Sequence, residues 1–308
     1  TIPEEYGGLG LTMEEEILVA IALGRTSPAF RSIIGTNNGI GSAAVVFNGT
    51  EEQKQKYLPK LATGEIIGAF GLTEPSAGSD AGSTKTTAEL NGDEYVVNGG
   101  KIFITNSSLA GLLTLTTNII ENGENKGIGA LIVETNNFGL KIGPKEKKMG
   151  WRASDTRQLF FENMRVPKEN LLGQPTEGFK TFLKTLTGGR ISVAALSCGT
   201  AEGAYQKALN YSTERKAFGK EIHKFQAVGF KLADMATEID AARLLTFRAA
   251  WMKDHGMKTT LESSMAKLYA AEVGVRVANE SVQIHGGYGY IKDYPAEKFY
   301  RDVKLCTI

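Results

Sequence analysis

Between Thr12 and about Leu61 the apolar positions recur at helical spacing, with start and stop signals that divide the stretch into several short helices. Thr12 and Glu15 spell a capping box ahead of an apolar run that stops at Gly24. Thr50 and Gln53 spell a second ahead of a helix ending near Gly64, and Ser27-Pro28 opens another helix between them. From about 66 to 167 the period switches to two. Segments 67–72, 86–90, 95–98, 101–105, 112–117, 128–133 and 157–161 are short and rich in Ile, Val, Thr, Phe and Tyr, the composition of strands. Asn91-Gly92 and then Asn98-Gly99-Gly100 are hairpin signals in quick succession, which predicts an antiparallel meander.

Long helical stripes return after about Glu177. Ile191, Ala194, Cys198, Ala201, Tyr205, Ala208, Leu209 and Ser212 share one face. Phe225, Val228, Leu232, Met235, Ile239, Ala242, Thr246 and Ala249 share a second; Ala266, Tyr269, Val273 and Val277 share a third, with Thr259 and Glu262 as a capping box. The expected fold is α+β: an N-terminal helical domain over 1–65, a middle antiparallel β-barrel-like domain over 66–176, and a C-terminal helical bundle over 177–308.

Composition narrows what such a fold does. Lys plus Arg number 35 against 34 Asp plus Glu, so no broad field favours nucleic acid. Two cysteines, Cys198 and Cys306, are too few for a disulfide framework and lack metal spacing. No apolar run approaches the roughly 18 residues of a membrane span. The sequence lacks a G-x-G-x-x-G after a strand, a P-loop, an H-E-x-x-H and a G-x-S-x-G, and His223, His255 and His285 are not spaced for a metal.

Three stretches remain. Residues 71–80, Gly-Leu-Thr-Glu-Pro-Ser-Ala-Gly-Ser-Asp, run from a strand into a turn of small hydroxylated residues. Such a segment either presents backbone N–H groups to a planar heterocycle or a phosphate, or is an ordinary turn. Residues 283–290, Gln-Ile-His-Gly-Gly-Tyr-Gly-Tyr, either admit a ligand or neighbouring chain to bare backbone or simply stop a helix. Residues 215–220, Arg-Lys-Ala-Phe-Gly-Lys, are a pyrophosphate grip or a solvated loop just before a helix.

In order and spacing these stretches resemble the acyl-CoA dehydrogenase family, from Pro-Glu-Glu-Tyr-Gly-Gly at residues 3–8 onward. One family signature is met at 71–83, with Thr73, Glu74, Gly78, Ser79 and Asp80 in place. The second starts at Gln283 and continues through Gly286, Gly287, Gly289, Asp293, Lys298 and Asp302. The resemblance implies FAD as cofactor and oxidation of an acyl-CoA thioester to its trans-2-enoyl form, with electrons passing to an electron-transferring flavoprotein. An oxidase-like relative, or a flavin- and CoA-binding homologue without dehydrogenase activity, is the alternative.

By the same likeness Phe70, Leu72 and Thr73 line the isoalloxazine ring, with Gly78 and Ser79 in the same turn. Phe103, Ile104 and Thr105 form the second flavin strand, with the Thr105 hydroxyl at N5. Arg215, Phe218 and Gln226, together with Gln283, Ile284, His285, Gly286 and Gly287, hold the diphosphate and adenosine end across protomers. A homotetramer, a dimer of dimers, is thereby implied. Ser79 and Arg190 correspond to substrate contacts, Arg190 alternatively serving as a bundle cation.

The family's usual catalytic Glu follows the Arg-Asp pair matched by Arg301-Asp302, and in the nearest pattern falls two positions past Ile308. The alternative location, just before Arg190, is Gly189. The expectation is a chain truncated at both ends, with no catalytic base within it. Glu74 and Asp80 are read as acceptors that fix the turn. The bacterial cytoplasm and the mitochondrial matrix both suit this chemistry.

Overall fold

The computed structural model describes residues 2–176 and 178–308, leaving the side chains of Phe179, Lys180, Thr181 and Lys184 outside the description. Glu177, where the third expected domain begins, lies outside it too. The chain groups into two compact units. One takes the N-terminal stretch to Gly10, Ser32–Lys147 and Ala153–Leu186; the other takes Leu11–Arg31, Lys148–Arg152 and Thr187–Ile308.

In the first unit, α3 (Ser42–Asn48) and α4 (Glu51–Thr63) precede a seven-stranded sheet. Its strands are β1 (Ile67–Gly71), β2 (Thr87–Asn91), β3 (Glu94–Thr105), β4 (Ala110–Glu121), β5 (Glu124–Glu134), β6 (Leu140–Lys145) and β7 (Thr156–Pro167). The order is β1-β4-β2-β3-β7-β6, with β5 also on β4. Both caps of α4 form as its sequence predicts: Thr50 and Gln53 close a capping box, and Gly64 ends the helix at φ 76°.

The expected meander is corrected in three places. Parallel pairs β1–β4 and β2–β4 make the sheet mixed. Asn91-Gly92 does turn β2 into antiparallel β3, but Asn98-Gly99-Gly100 makes no hairpin. It is a bulge inside one continuous β3, where Gly99 at φ 137° lets the pairing with β7 slip by a residue. Strand β6 had no sequence signal, because its burial pattern shows no alternation of buried and exposed residues.

Strands β4 and β5 are nearly continuous in apolar residues for a packing reason. Leu113, Leu115, Leu131 and Val133 enter the inner core of the sheet, while Leu112, Ala130 and Ile132 face Val45, Leu58 and Leu61 of α3 and α4. Both faces are dry, so alternation disappears. Edge strand β1 is held on its open side by two asparagines. Gly68 N donates to Asn37 Oδ1 at 2.7 Å, and Gly68 O accepts from Asn106 Nδ2 at 3.3 Å.

The second unit is a helical bundle containing α1 (Met13–Gly24), most of α5 (Gly178–Glu214), α6 (Gln226–Asp254), α7 (Thr260–His285) and α8 (Ala296–Val303); α2 (Pro28–Gly35) begins in it. The three stripes read from periodicity form its core, with Ile191, Cys198, Leu232, Met235, Val273 and Val277 all buried. The Thr12 box at α1 is reinforced by Asp254, whose carboxylate accepts from Met13 N at 2.8 Å and Glu14 N at 3.0 Å. The box at Thr259 does not form. Thr259 sits at φ −116°, ψ 15° rather than in the extended conformation that aims a cap hydroxyl, and Glu262 pairs with Arg248 instead. No helix among the described residues is long and apolar enough to cross a membrane.

Candidate active site

Beyond Gly71 the chain leaves the sheet but stays beside β3, because Ile102 N donates to Thr73 O at 2.8 Å. Glu74 and Ala77 then exchange reciprocal backbone hydrogen bonds of 3.0 and 3.1 Å, closing a tight turn with Pro75 and Ser76 at its corner. Gly78, Ser79 and Asp80 follow on the exposed side, and the Ser83 hydroxyl donates to Asp80. At the far end of β3, Phe103 takes φ 60° and stays 61% exposed, both uncommon for a large aromatic residue. Such outliers concentrate at functional sites. Ile104 is buried, and Thr105, half-buried, pairs with Thr156 on β7. Phe70 is buried and stacks on Phe182, ring centroids 5.7 Å apart.

Beneath the turn lies a group that the sequence did not mark. Lys101 is fully buried, and its Nζ donates to Leu72 O at 3.0 Å, Glu74 Oε1 at 2.7 Å and Thr84 Oγ1 at 3.0 Å. Glu74 also accepts from Lys85 N at 2.7 Å, Thr86 N at 3.1 Å and the Thr84 hydroxyl. One ion pair therefore ties both feet of the 72–86 loop together. Burial alone would raise the Glu74 pKa, but the Lys101 ammonium, with the Thr84 hydroxyl and two backbone N–H groups, brings it down to about 2. Burial also weighs against the Lys101 charge and lowers its pKa, while Glu74 opposes that. The acceptors around Nζ are arranged for an ammonium.

In the bundle unit, Tyr211, Arg215, Ile222, Ile284, His285, Gly286 and Gly287 line a cleft of about 460 Å³ with Tyr288 and Ile291. Of the residues expected from sequence, Arg215, Ile284, His285, Gly286 and Gly287 come together here. His285 is buried, bonded through Nδ1 to Ser281 O at 2.7 Å and stacked on Tyr211 at 4.5 Å. Burial holds its pKa below the ordinary histidine value, which favours the neutral ring. The exposed Arg215 guanidinium lies 5.8 Å from the Tyr288 ring centroid. Tyr211 and Ile222 escaped sequence reasoning because each lies well before the glycine motif it faces.

Phe218, Gln226 and Gln283 are exposed and lie outside the cleft lining. Phe218 occupies the two-strand hairpin of β8 (Lys216–Ala217) and β9 (Lys220–Glu221), at φ 48° and 96% exposed. The stretch expected just before a helix is thus a short ribbon followed by a 3₁₀ turn before α6. Arg190 is half-buried on α5 and makes no ion pair with a described residue. Among the described residues no cluster of three or more His, Cys, Asp or Glu is arranged to hold a metal.

Three family models match in succession: the acyl-CoA dehydrogenase N-terminal domain over residues 1–65, middle domain over 69–164 and C-terminal domain over 176–308. The chain belongs to the acyl-CoA dehydrogenase family. A probable acyl-CoA dehydrogenase of Bacillus subtilis, YngJ, is 49% identical over 314 residues, covering 99% of this chain and 81% of that protein. A solved structure described as the electron transferring flavoprotein of Acidaminococcus fermentans aligns with a TM-score of 0.96 at 47% identity, over 99% of this chain and 80% of that one. An acyl-CoA dehydrogenase from Bacillus anthracis complexed with FAD aligns with a TM-score of 0.95 at 38% identity, over 100% of this chain and 56% of that one.

This acyl-CoA dehydrogenase is an oxidoreductase, and its cofactor is FAD. The residues present fit that cofactor. The Thr73 N–H, the Thr73 hydroxyl and the Thr105 hydroxyl have no acceptor among the described residues; Thr73 is tied to Ile102, and Thr105 follows the exposed Phe103 by two residues on the same strand. Open donors on segments that also expose an aromatic residue suit the polar edge of a flavin. In the cleft, a Cβ at Gly286 or Gly287 would meet nothing within 4 Å, so their backbone is open to an approaching anion beside Arg215.

Proposed function

We propose that the protein catalyses α,β-dehydrogenation of an acyl-CoA thioester to the trans-2-enoyl-CoA and passes the electrons to an electron-transferring flavoprotein. The carrying observation is the set of open donors at Thr73 and Thr105, with Phe103 exposed on the strand that bears Thr105. Bound FAD supplies the acceptor for the hydride that leaves Cβ. Thr73, through its N–H and hydroxyl, donates to the pyrimidine edge where reduction places negative charge, as an oxyanion hole would. Leu72, Phe70, Phe103 and Ile104 supply the apolar contacts, and Gly78 and Ser79 the turn that continues them. The Thr105 hydroxyl would donate towards N5, the hydride-accepting atom.

Arg215, Phe218 and Gln226, with Gln283 and the 284–287 stretch, hold the diphosphate and adenosine, each set serving a neighbouring protomer of a homotetramer. That division explains why Phe218, Gln226 and Gln283 are bare in a single chain. Ser79 and Arg190 meet the acyl-CoA, and the lack of an ion pair between Arg190 and any described residue supports the second of these. Proton removal at Cα is assigned to no residue of this chain. Glu74, the acid nearest the flavin turn, is committed to four donors. The bacterial cytoplasm or the mitochondrial matrix would supply both partners.

The test is anaerobic titration of the FAD-loaded protein with acyl-CoA thioesters of graded length. The flavin absorbance should bleach stoichiometrically with enoyl-CoA formed; a protein that takes up no FAD, or is bleached by none of the thioesters, sinks the reading. Peroxide release in air at the turnover rate would point to the oxidase alternative.

Thr105→Val should slow flavin reduction about tenfold or more while leaving acyl-CoA affinity nearly unchanged, because the hydroxyl acts on charge that appears only during the reaction. Stopped-flow reduction rates set against equilibrium binding decide it; equal losses in both would remove the role.

A further inference from the structure

We propose that Lys101 is a positioning residue for the flavin: its buried ammonium, by donating to the Leu72 carbonyl, aims and strengthens the Thr73 N–H. This rests on the reading that FAD lies against Thr73. The Leu72 carbonyl and the Thr73 N–H belong to one planar peptide unit. A charge-assisted hydrogen bond on its oxygen, 3.0 Å from Nζ, draws electron density along that unit and makes the N–H at its other end a better donor. That N–H has no acceptor among the described residues, whereas the Thr73 carbonyl is taken by Ile102 N.

The arrangement is costly in a way that a purely structural brace need not be. A lysine with no exposed surface gives up the whole hydration of its ammonium, and an apolar side chain of like length would fill the same space without that loss. Three of its contacts, Glu74, Thr84 and Thr116, are side chains that balance or orient the charge. The fourth, Leu72 O, is the one that communicates with the open donor. Glu74 holds the opposite foot of the loop through Lys85 N and Thr86 N, so the peptide cannot turn away as charge builds in front of it.

A stronger donor at the pyrimidine edge favours reduced over oxidised flavin, so its loss reads out as a potential. The double variant Lys101→Met/Glu74→Gln removes both charges together, and the single oxygen of the new amide keeps one of the two backbone bonds, from Lys85 or from Thr86. Its midpoint potential, measured anaerobically by dye equilibration without substrate, should fall by about 30 mV, equivalent to a tenfold loss in preference for the reduced form. In the folded, FAD-loaded variant the affinity for oxidised FAD should change little, while the melting temperature falls with the lost loop anchors. Lys101→Gln is the second variant: its amide can still donate to Leu72 without the charge, and a smaller shift of the same sign is expected.

A folded, FAD-loaded variant of either kind with the wild-type potential overturns the role of Lys101 and leaves the functional reading standing. Wild-type protein that takes up no FAD overturns both.

Discussion

Lys101→Met made alone, with Glu74 kept, should destabilise the protein by about 3–5 kcal/mol near neutral pH, because it strands a buried carboxylate without its cation. In the wild type the Glu74 pKa, about 2 when folded against 4.5 as an ordinary value, is depressed. Its contribution to stability is therefore fully present above the unfolded value and is lost as pH falls from 4.5 towards 2. In the variant the Thr84 hydroxyl and two backbone N–H groups alone oppose burial, so the folded Glu74 pKa rises relative to wild type; the penalty is greatest at high pH and shrinks as the carboxyl takes up a proton. Urea unfolding of both proteins at several pH values from neutrality down to about 3 checks this. A deficit that is pH-independent, or that grows on acidification, would show that Glu74 is not the stranded charge.

Arg215→Ala should weaken FAD retention by about tenfold to a hundredfold, the range for losing hydrogen bonds to a charged group. Arg215 is exposed, stands at the rim of the cleft beside Gly286 and Gly287, and offers a planar fork suited to a diphosphate. If the cofactor bridges protomers, the same change should loosen the assembly, since ligand bound across an interface stabilises it by mass action. Dialysis against FAD-free buffer, followed by sedimentation with and without added FAD, measures both. Arg215→Lys restores the charge but not the fork and should recover only part of the affinity. Undiminished FAD retention in the alanine variant would count against the bridging arrangement.

Much of the helical architecture was legible because its causes are local. A capping box couples residues three apart, so Thr12 with Glu15 and Thr50 with Gln53 could be recognised without knowing what packs around them. The failure at Thr259 shows the limit of the same signal: the residue types were right, but the backbone there is not extended. The two glycine-bearing stretches of the site were likewise readable, since both are contiguous runs whose residue types already restrict what they can bind.

The sequence by itself determined the helical stripes, the caps, the strand-rich middle and the two glycine-bearing runs, each written in residues near one another along the chain. Only the tertiary structure decided that Asn98-Gly99-Gly100 bulges within a strand rather than turning, that β4 lies parallel to β1 and β2, and that Tyr211 closes over His285. It alone decided the fate of Lys101, which in sequence is one cation in an alternating strand. Its partners stand 27 and 17 residues earlier, and only when the chain returns to bring Glu74 and Thr84 within 3.0 Å can an ammonium remain charged away from water. Alternation tells which residues share a face of a strand; whether that face meets solvent, apolar side chains or a buried carboxylate depends on segments far away in sequence.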